Sequence, residues 1–259
     1  GFMGPRDIFR NPEAVFRRFE STDGGSPFDL ILSHSGDDFA VMGMHFKIGL
    51  YEHQSAGALQ GLLNLIQQNP SIATDPTSIQ EISITAYEPA FGIIGDPAKR
   101  NPTTRQSADH SMVYIVSAML KKAQDVAKSE GEAFFAQSND EVWKRLMLTP
   151  YDYDADAIYD ETTRAIMETI TFKHGGETFD RQYPDGIPTA VTITLSNGDV
   201  LESGLVMYPS GHARNTTCDL EDILHAKFKM HGQIALDDAD PVIKECNSIA
   251  SLSSDEMQT

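Results

Sequence analysis

The sequence predicts an α+β fold in which helices pack on one face of a small mixed sheet. Three observations carry that expectation. Short stretches alternate apolar and polar residues with a period of two, as half-buried strands do. Between them lie apolar stripes at helical spacing. The order along the chain is strand–helix–strand–helix and then strand–strand–helix, with no internal repeat, which segregates helices to one side of a sheet.

The elements follow in turn. Residues 1–30 are irregular, with Asn11-Pro12-Glu13 as a helix start and a Gly-rich polar loop over residues 21–27. Residues 41–50 alternate: Met42, Met44, Phe46, Ile48 and Leu50 fall on one face, and Val41, Gly43, His45, Lys47 and Gly49 on the other. That predicts a strand with Lys47 on its polar side. Leu59, Leu62, Leu63 and Ile66 then mark a helix that Asn69-Pro70 ends. A strand is expected over residues 82–86. A loop with Pro89, Pro97 and Pro102 follows. Ser107 is the expected N-cap of the next helix, whose stripe is Met112, Ile115, Val116, Met119 and Leu120, packed on the same sheet. Residues 125–163 are acidic and rich in tyrosine, and residues 151–156 read as a surface loop entering a short helix. Val191, Ile193 and Leu195 run into Asn197-Gly198, a strong hairpin signal, and the return strand reaches Tyr208. Asp219 caps a helix with Leu220, Ile223, Leu224 and Phe228, and a last helix runs from Pro241 to about Ile249.

Composition narrows the chemistry. The net charge of −18 argues against nucleic acid and against anionic membranes as partners. No apolar run is long enough to span a bilayer, and no secretory signal is present. Cys218 and Cys246 form no C-x-x-C pair, so they read as free thiols of a reducing compartment rather than as ligands of zinc or an iron–sulfur cluster. The acidic tract lacks the central Gly and final Glu of a calcium loop. G-x-S-x-G, H-E-x-x-H and the phosphate-binding Gly loop are absent. The opening residues, Gly1-Phe2-Met3-Gly4-Pro5, do not read as a translation start and suit a processed or truncated chain.

Three stretches carry chemistry. In residues 46–55 a strand lysine, Lys47, precedes by six positions a histidine at a helix mouth, His53. A compact ammonium and oriented N–H groups suit a carboxylate, and an imidazole can move a proton near neutral pH. An exposed lysine beside a helix-capping histidine would leave the same pattern. In residues 99–111, Lys99, Arg100, Arg105 and His110 surround a helix start, a candidate anion site or a solvated loop. In residues 208–214, Gly and Pro mark a sharp exit from the hairpin, and His212 and Arg214 read as anchors of that loop rather than catalytic groups.

In this order and spacing, the stretches resemble the C-terminal domain of the MmgE/PrpD family. The resemblance rests on F-K followed by a histidine at a helix start, on R-Q-S-A-D-H-S-M-V-Y, and on N-G-D leading to Y-P-S-G-H-A-R and L-E-D-I-L-H-A-K-F. Residues 36–59 are most similar to the fungal-type 2-methylcitrate dehydratases of that family, although K-I-G-L-Y replaces the usual K-x-[FY]-P run. The resemblance implies a large all-helical domain, of which residues 1–30 are the tail end, an α+β lid over residues 31–230, and a C-terminal helix and tail over residues 231–259. It implies a homodimer, a cleft between the two domains, and no metal or organic cofactor. Lys47 and His53 would be its catalytic residues, and Arg100, Arg105 and His110 would bind substrate. The implied reaction is dehydration of 2-methylcitrate to 2-methyl-cis-aconitate in propionate catabolism, in mitochondria or alternatively in cytoplasm, by an enzyme of which this chain alone holds half a site. The alternatives are a cis-aconitate decarboxylase and a non-catalytic lid-like domain that binds or assembles.

Overall fold

A four-stranded mixed sheet sets the frame. The computed structural model describes residues 43–258, so the expected helix start at Asn11-Pro12, the loop over 21–27 and residues Val41 and Met42 lie outside the described residues. From His45 onward the residues form one compact unit.

A short 3-10 turn, His53–Ser55, leads into α1 (Ala56–Gln68). Leu59, Leu62, Leu63 and Ile66 are buried on it, as their spacing predicts. After α2 (Ser71–Thr74) comes β1 (Ile79–Ala86). A long excursion carries α3 (Arg105–Ala108), α4 (Met112–Glu130), α5 (Asn139–Leu146), α6 (Ala155–Ile158) and α7 (Glu161–Glu168). It returns as β2 (Ile170–His174), parallel to β1. Beyond α8 (Glu177–Asp180) lie β3 (Thr189–Leu195) and β4 (Val200–Val206). β3 pairs antiparallel with both β1 and β4, giving the order β2-β1-β3-β4. Gly198 takes φ of 93° in the β3–β4 turn, which the Asn-Gly signal requires. The chain ends in α9 (Leu220–Gly232), capped by Asp219 as expected, and α10 (Asp240–Ser248).

α1 packs on β3 and β4. Its Gly57 and Gly61 face Thr189 and Val191 so closely that a Cβ at either position would overlap the strand. Met112, Ile115, Val116 and Met119 on α4 are buried, and α4 lies closest to α7, α2 and α1. The long helix starts later than expected. Ser107 closes a capping box with Thr104 around the single turn of α3, and Ser111 caps α4 by accepting from the Tyr114 N–H.

The expected strand over residues 41–50 is corrected for its described part. Phe46 is exposed while Ile48 is fully buried, so the two do not share a face, and Gly49 is buried where Lys47 is exposed. The segment joins no ladder. Its backbone is tied at separate points: the Phe46 N–H donates to the Gly211 carbonyl (2.8 Å), and the Leu50 N–H donates to the Leu148 carbonyl (2.9 Å).

One side chain joins several of these parts. Gln60 on α1 accepts from the Trp143 indole N–H of α5 (2.9 Å) and from the Ser210 N–H (3.0 Å). Its amide donates to Asn64 (2.9 Å) and Asn139 (2.8 Å). Gln60→Met is close in size but leaves both buried donors without an acceptor. Urea titration should show a loss of roughly 2–5 kcal/mol. A loss below about 1 kcal/mol would mean that water reaches those donors.

Candidate functional site

The site begins with the segment that failed to form a strand. Gly211, at φ of 90°, lies so close to residue 46 that a Cβ there would overlap the Phe46 carbonyl oxygen. On the other side, the Lys227 ammonium of α9 donates to the Lys47 carbonyl (2.6 Å). Held between these two, the Lys47 side chain stays exposed. The chain then turns inward. The Ile48 N–H donates to the buried Tyr51 hydroxyl (2.9 Å), the Tyr153 hydroxyl donates to the Leu50 carbonyl, and the Glu52 N–H donates to the Asp109 carbonyl (3.0 Å). Glu52 Oε2 accepts from the Gln54 N–H (2.8 Å), capping the turn that holds His53 at the mouth of α1.

These ties enclose a cavity of about 260 Å³. Lys47, His53, Arg105 and His110 line it, with Glu52, Asp109, Leu50, Tyr51 and Tyr153. Four of the five residues singled out in the sequence therefore share one wall. Among the described residues neither Lys47 nor Arg105 forms an ion pair, while His110 Nδ1 bonds the Asp109 carboxylate. The fifth, Arg100, is not in the cavity. Its guanidinium donates to the Met167 and Ile170 carbonyls (both 3.0 Å), where α7 passes into β2, away from the four residues that share the cavity wall.

Sequence reasoning missed a column of imidazoles behind the cavity. His45 stacks on His212 with ring centres 3.8 Å apart and lies 5.7 Å from His53, near parallel to both. His45 Nδ1 accepts from the Ala213 N–H (3.1 Å), and His212 Nδ1 accepts from the Arg214 N–H (3.0 Å). A nitrogen that accepts carries no proton, so the neutral form of each ring is the Nε2–H tautomer. Burial lowers the pKa of His53, helped by His45 and Lys47. Burial, then Arg214, lowers that of His45. His212 is held down to about 4 by burial and by its charged and imidazole neighbours. Glu52 moves the other way. Burial raises its pKa against the Gln54 N–H and the charges of His110, Lys47 and Lys99. Neutral imidazoles and a carboxylate inclined to hold a proton thus stand beside two cations that are unpaired among the described residues. The signal for His45 and His212 was present as two histidines, but their meeting depends on a contact between residues more than 160 positions apart. The loop over 208–214 is tied to its neighbours through Gly211 to Phe46, Ala213 to His45 and Arg214 to Asp185.

Two other hollows are less suited to an anion. One of about 270 Å³ beside α4 has its lysines already engaged, Lys122 with Asp152 (2.8 Å) and Lys121 with Asp125 (2.6 Å). The other, about 700 Å³ along α9 and α10, is lined by Leu220, Leu224, Phe228 and Ile243 with Asp219, Glu221 and Asp222. Cys218 and Cys246 are both free. Among the described residues no helix is long and apolar enough to cross a membrane.

Comparison with known proteins bears on the same stretch. Residues 51–149 match the MmgE/PrpD C-terminal domain, the family that the motifs resemble. The chain is similar to the 2-methylcitrate dehydratase of Escherichia coli (strain K12), 26% identical over 191 residues, which cover 72% of this chain and 34% of that protein. It is 25% identical over 191 residues to the 2-methylcitrate dehydratase of Salmonella typhimurium (strain LT2), with the same coverage. The chain thus spans about a third of the length of these relatives.

Two outcomes follow from the geometry. Arg100→Ala should lower stability by about 1–3 kcal/mol through the two carbonyls it leaves unpaired, and leave citrate binding unchanged. A loss of binding with full stability would return Arg100 to the site. The second concerns pH. Unfolded, His212 binds a proton near its ordinary value of 6.5, and folded it does so only near 4. Between these values the unfolded state carries more protons, so stability falls as pH drops from 6.5 to 4. His45 and His53 act in the same sense. Denaturant midpoints measured across this window should decline, and His212→Gln should make the decline shallower. An unchanged slope in that variant would show that His212 titrates normally.

Proposed function

We propose, on the premise that residues 51–149 form an MmgE/PrpD C-terminal domain, that this chain supplies the lid side of a hydro-lyase site. The substrate is 2-methylcitrate and the product 2-methyl-cis-aconitate. The observation that carries the reading is the convergence of Lys47, Arg105, His53 and His110 on one cavity, with both cations unpaired among the described residues.

The chemistry asks for such a set. Loss of water from a tricarboxylate begins at a carbon beside a carboxylate, and negative charge builds on that carboxylate as the C–H bond weakens. A fixed ammonium stabilises developing charge most where water is excluded. Lys47 is a compact point charge, and Arg105 offers a planar fork to a second carboxylate. His53 is kept neutral by burial and its neighbours, the state in which an imidazole accepts a proton. The opposite wall of the site, which would close over the substrate, belongs, in this proposal, to an all-helical domain facing the cavity.

Citrate titrated into the chain and followed by NMR should shift the amides of residues 47–53 and 105–110. Lys47→Ala should weaken that binding at least about tenfold, the size of one charge-assisted contact, with little change in melting temperature because the side chain is exposed. In the complete enzyme the same substitution should lower kcat roughly 10²-fold or more, and Lys47→Arg should also be poor. The 259-residue chain alone should not dehydrate 2-methylcitrate. Turnover by the chain alone would remove the need for a second domain. Near-normal kcat after Lys47→Ala would make Lys47 a solvated charge. Release of CO₂ from cis-aconitate instead of water loss would reassign the reaction to a decarboxylase.

A further inference from the structure

The cavity contains a feature that a pure anion site would not have. Glu52 lines the same wall as Lys47 and Arg105. An ionised carboxylate there repels an incoming carboxylate, and in a partly buried site water screens that repulsion poorly. Glu52 is not neutralised by an ion pair among the described residues. Among the described residues its side chain accepts from the Gln54 N–H, which an un-ionised carboxyl can satisfy equally well through its carbonyl oxygen.

We propose that Glu52 is the proton donor of this cavity: it takes up a proton when a tricarboxylate binds beside Lys47 and Arg105, and delivers it to the hydroxyl group that leaves. The proposal rests on the hydro-lyase reading above. In the elimination, the C–O bond breaks with its electron pair on oxygen, the Glu52 proton joins that oxygen, and water departs. The C–H bond gives its pair to the new C=C bond and its proton to a base, for which the neutral His53 is placed on the same wall. Glu52 is left as a carboxylate and His53 as an imidazolium, and exchange with solvent resets both. No oxidant or further reactant is needed.

The surroundings support this division of labour. Burial raises the pKa of Glu52 and lowers that of His53, although the two are adjacent in the chain. Lys47, Lys99 and His110 oppose the rise at Glu52, and the uncharged hydroxyls of Tyr51 and Tyr153 close the wall. Asp109, the other carboxylate there, is already engaged by His110. An anion seated on Lys47 and Arg105 masks those cations from Glu52 and adds negative charge beside it. Both effects favour protonation.

The test is the pH dependence of citrate binding to the 259-residue chain between about pH 7 and 8.5, where citrate is fully ionised. Uptake of about one proton makes the apparent Kd rise toward tenfold per pH unit. Glu52→Gln keeps an oxygen to cap the Gln54 N–H but cannot ionise. It should flatten that dependence and bind citrate more tightly than the parent chain at the upper end, while His53→Gln should keep the slope. If Glu52→Gln fails to fold, the ¹³C shift of the Glu52 carboxyl in the parent chain serves instead, protonated with citrate and ionised without it. A flat profile in the parent chain, a slope that survives Glu52→Gln, or a slope lost in His53→Gln would overturn the assignment to Glu52 while leaving the tricarboxylate site standing. Failure of citrate to bind at all would overturn both.

Discussion

Everything around the cavity depends on how the side-chain amide of Gln60 is satisfied. It sits in the middle of α1 with both ends engaged: its oxygen serves an indole N–H and a backbone N–H, and its nitrogen serves two asparagine oxygens. Beyond Asn64 on α1 itself, the links reach two other parts of the molecule. Trp143 and Asn139 belong to α5, and Ser210 opens the loop that holds Gly211 against Phe46. A buried amide with all its capacity used is rigid, whereas one partly used is a liability. Through this network the helix that covers the sheet also fixes the loop that positions Lys47.

That dependence explains which parts of the fold were legible in the sequence. The hairpin was, because Asn197-Gly198 and the alternation of Val191, Ile193 and Leu195 are local signals. The burial of α1 was, because Leu59 through Ile66 form a stripe. β2 was not, because Ile170 to His174 is a short strand whose identity comes from pairing with β1 almost ninety residues earlier. Nor was α5, hidden in a tract that its acidic residues made look like surface. The alternation over residues 41–50 pointed the wrong way for an instructive reason. A period of two records only that successive side chains point to opposite sides, and here single tethers to Gly211, Leu148 and Lys227 replace the ladder that would make such a segment a strand.

The site divides along the same line. Lys47, His53, Arg105 and His110 could be singled out because cations and imidazoles beside helix starts are visible in one dimension. Arg100 met the same criterion, yet its guanidinium is spent on the Met167 and Ile170 carbonyls, a use that only the turn between α7 and β2 reveals. Glu52 was overlooked for the opposite reason. A glutamate in an acidic chain draws no notice until burial and cationic neighbours single it out.

The tether between Lys227 and the Lys47 carbonyl joins residues 180 positions apart. At ribosomal speeds of about 5–20 residues per second, roughly 10–40 s separate the synthesis of the two ends. During that interval α1, the sheet's first strand and the α4 layer are all available to fold, and Leu148 and Tyr153 can already hold Leu50, but the Phe46 and Lys47 backbone still lacks its ties to Gly211 and Lys227. The wall of the cavity is therefore finished only after most of the scaffold exists. Nascent chains halted before residue 208 would carry the whole stretch that matches the family and still lack the ties of Phe46 and Lys47 to Gly211 and Lys227, so the shortest chain that fixes the Lys47 backbone is longer than the matched one.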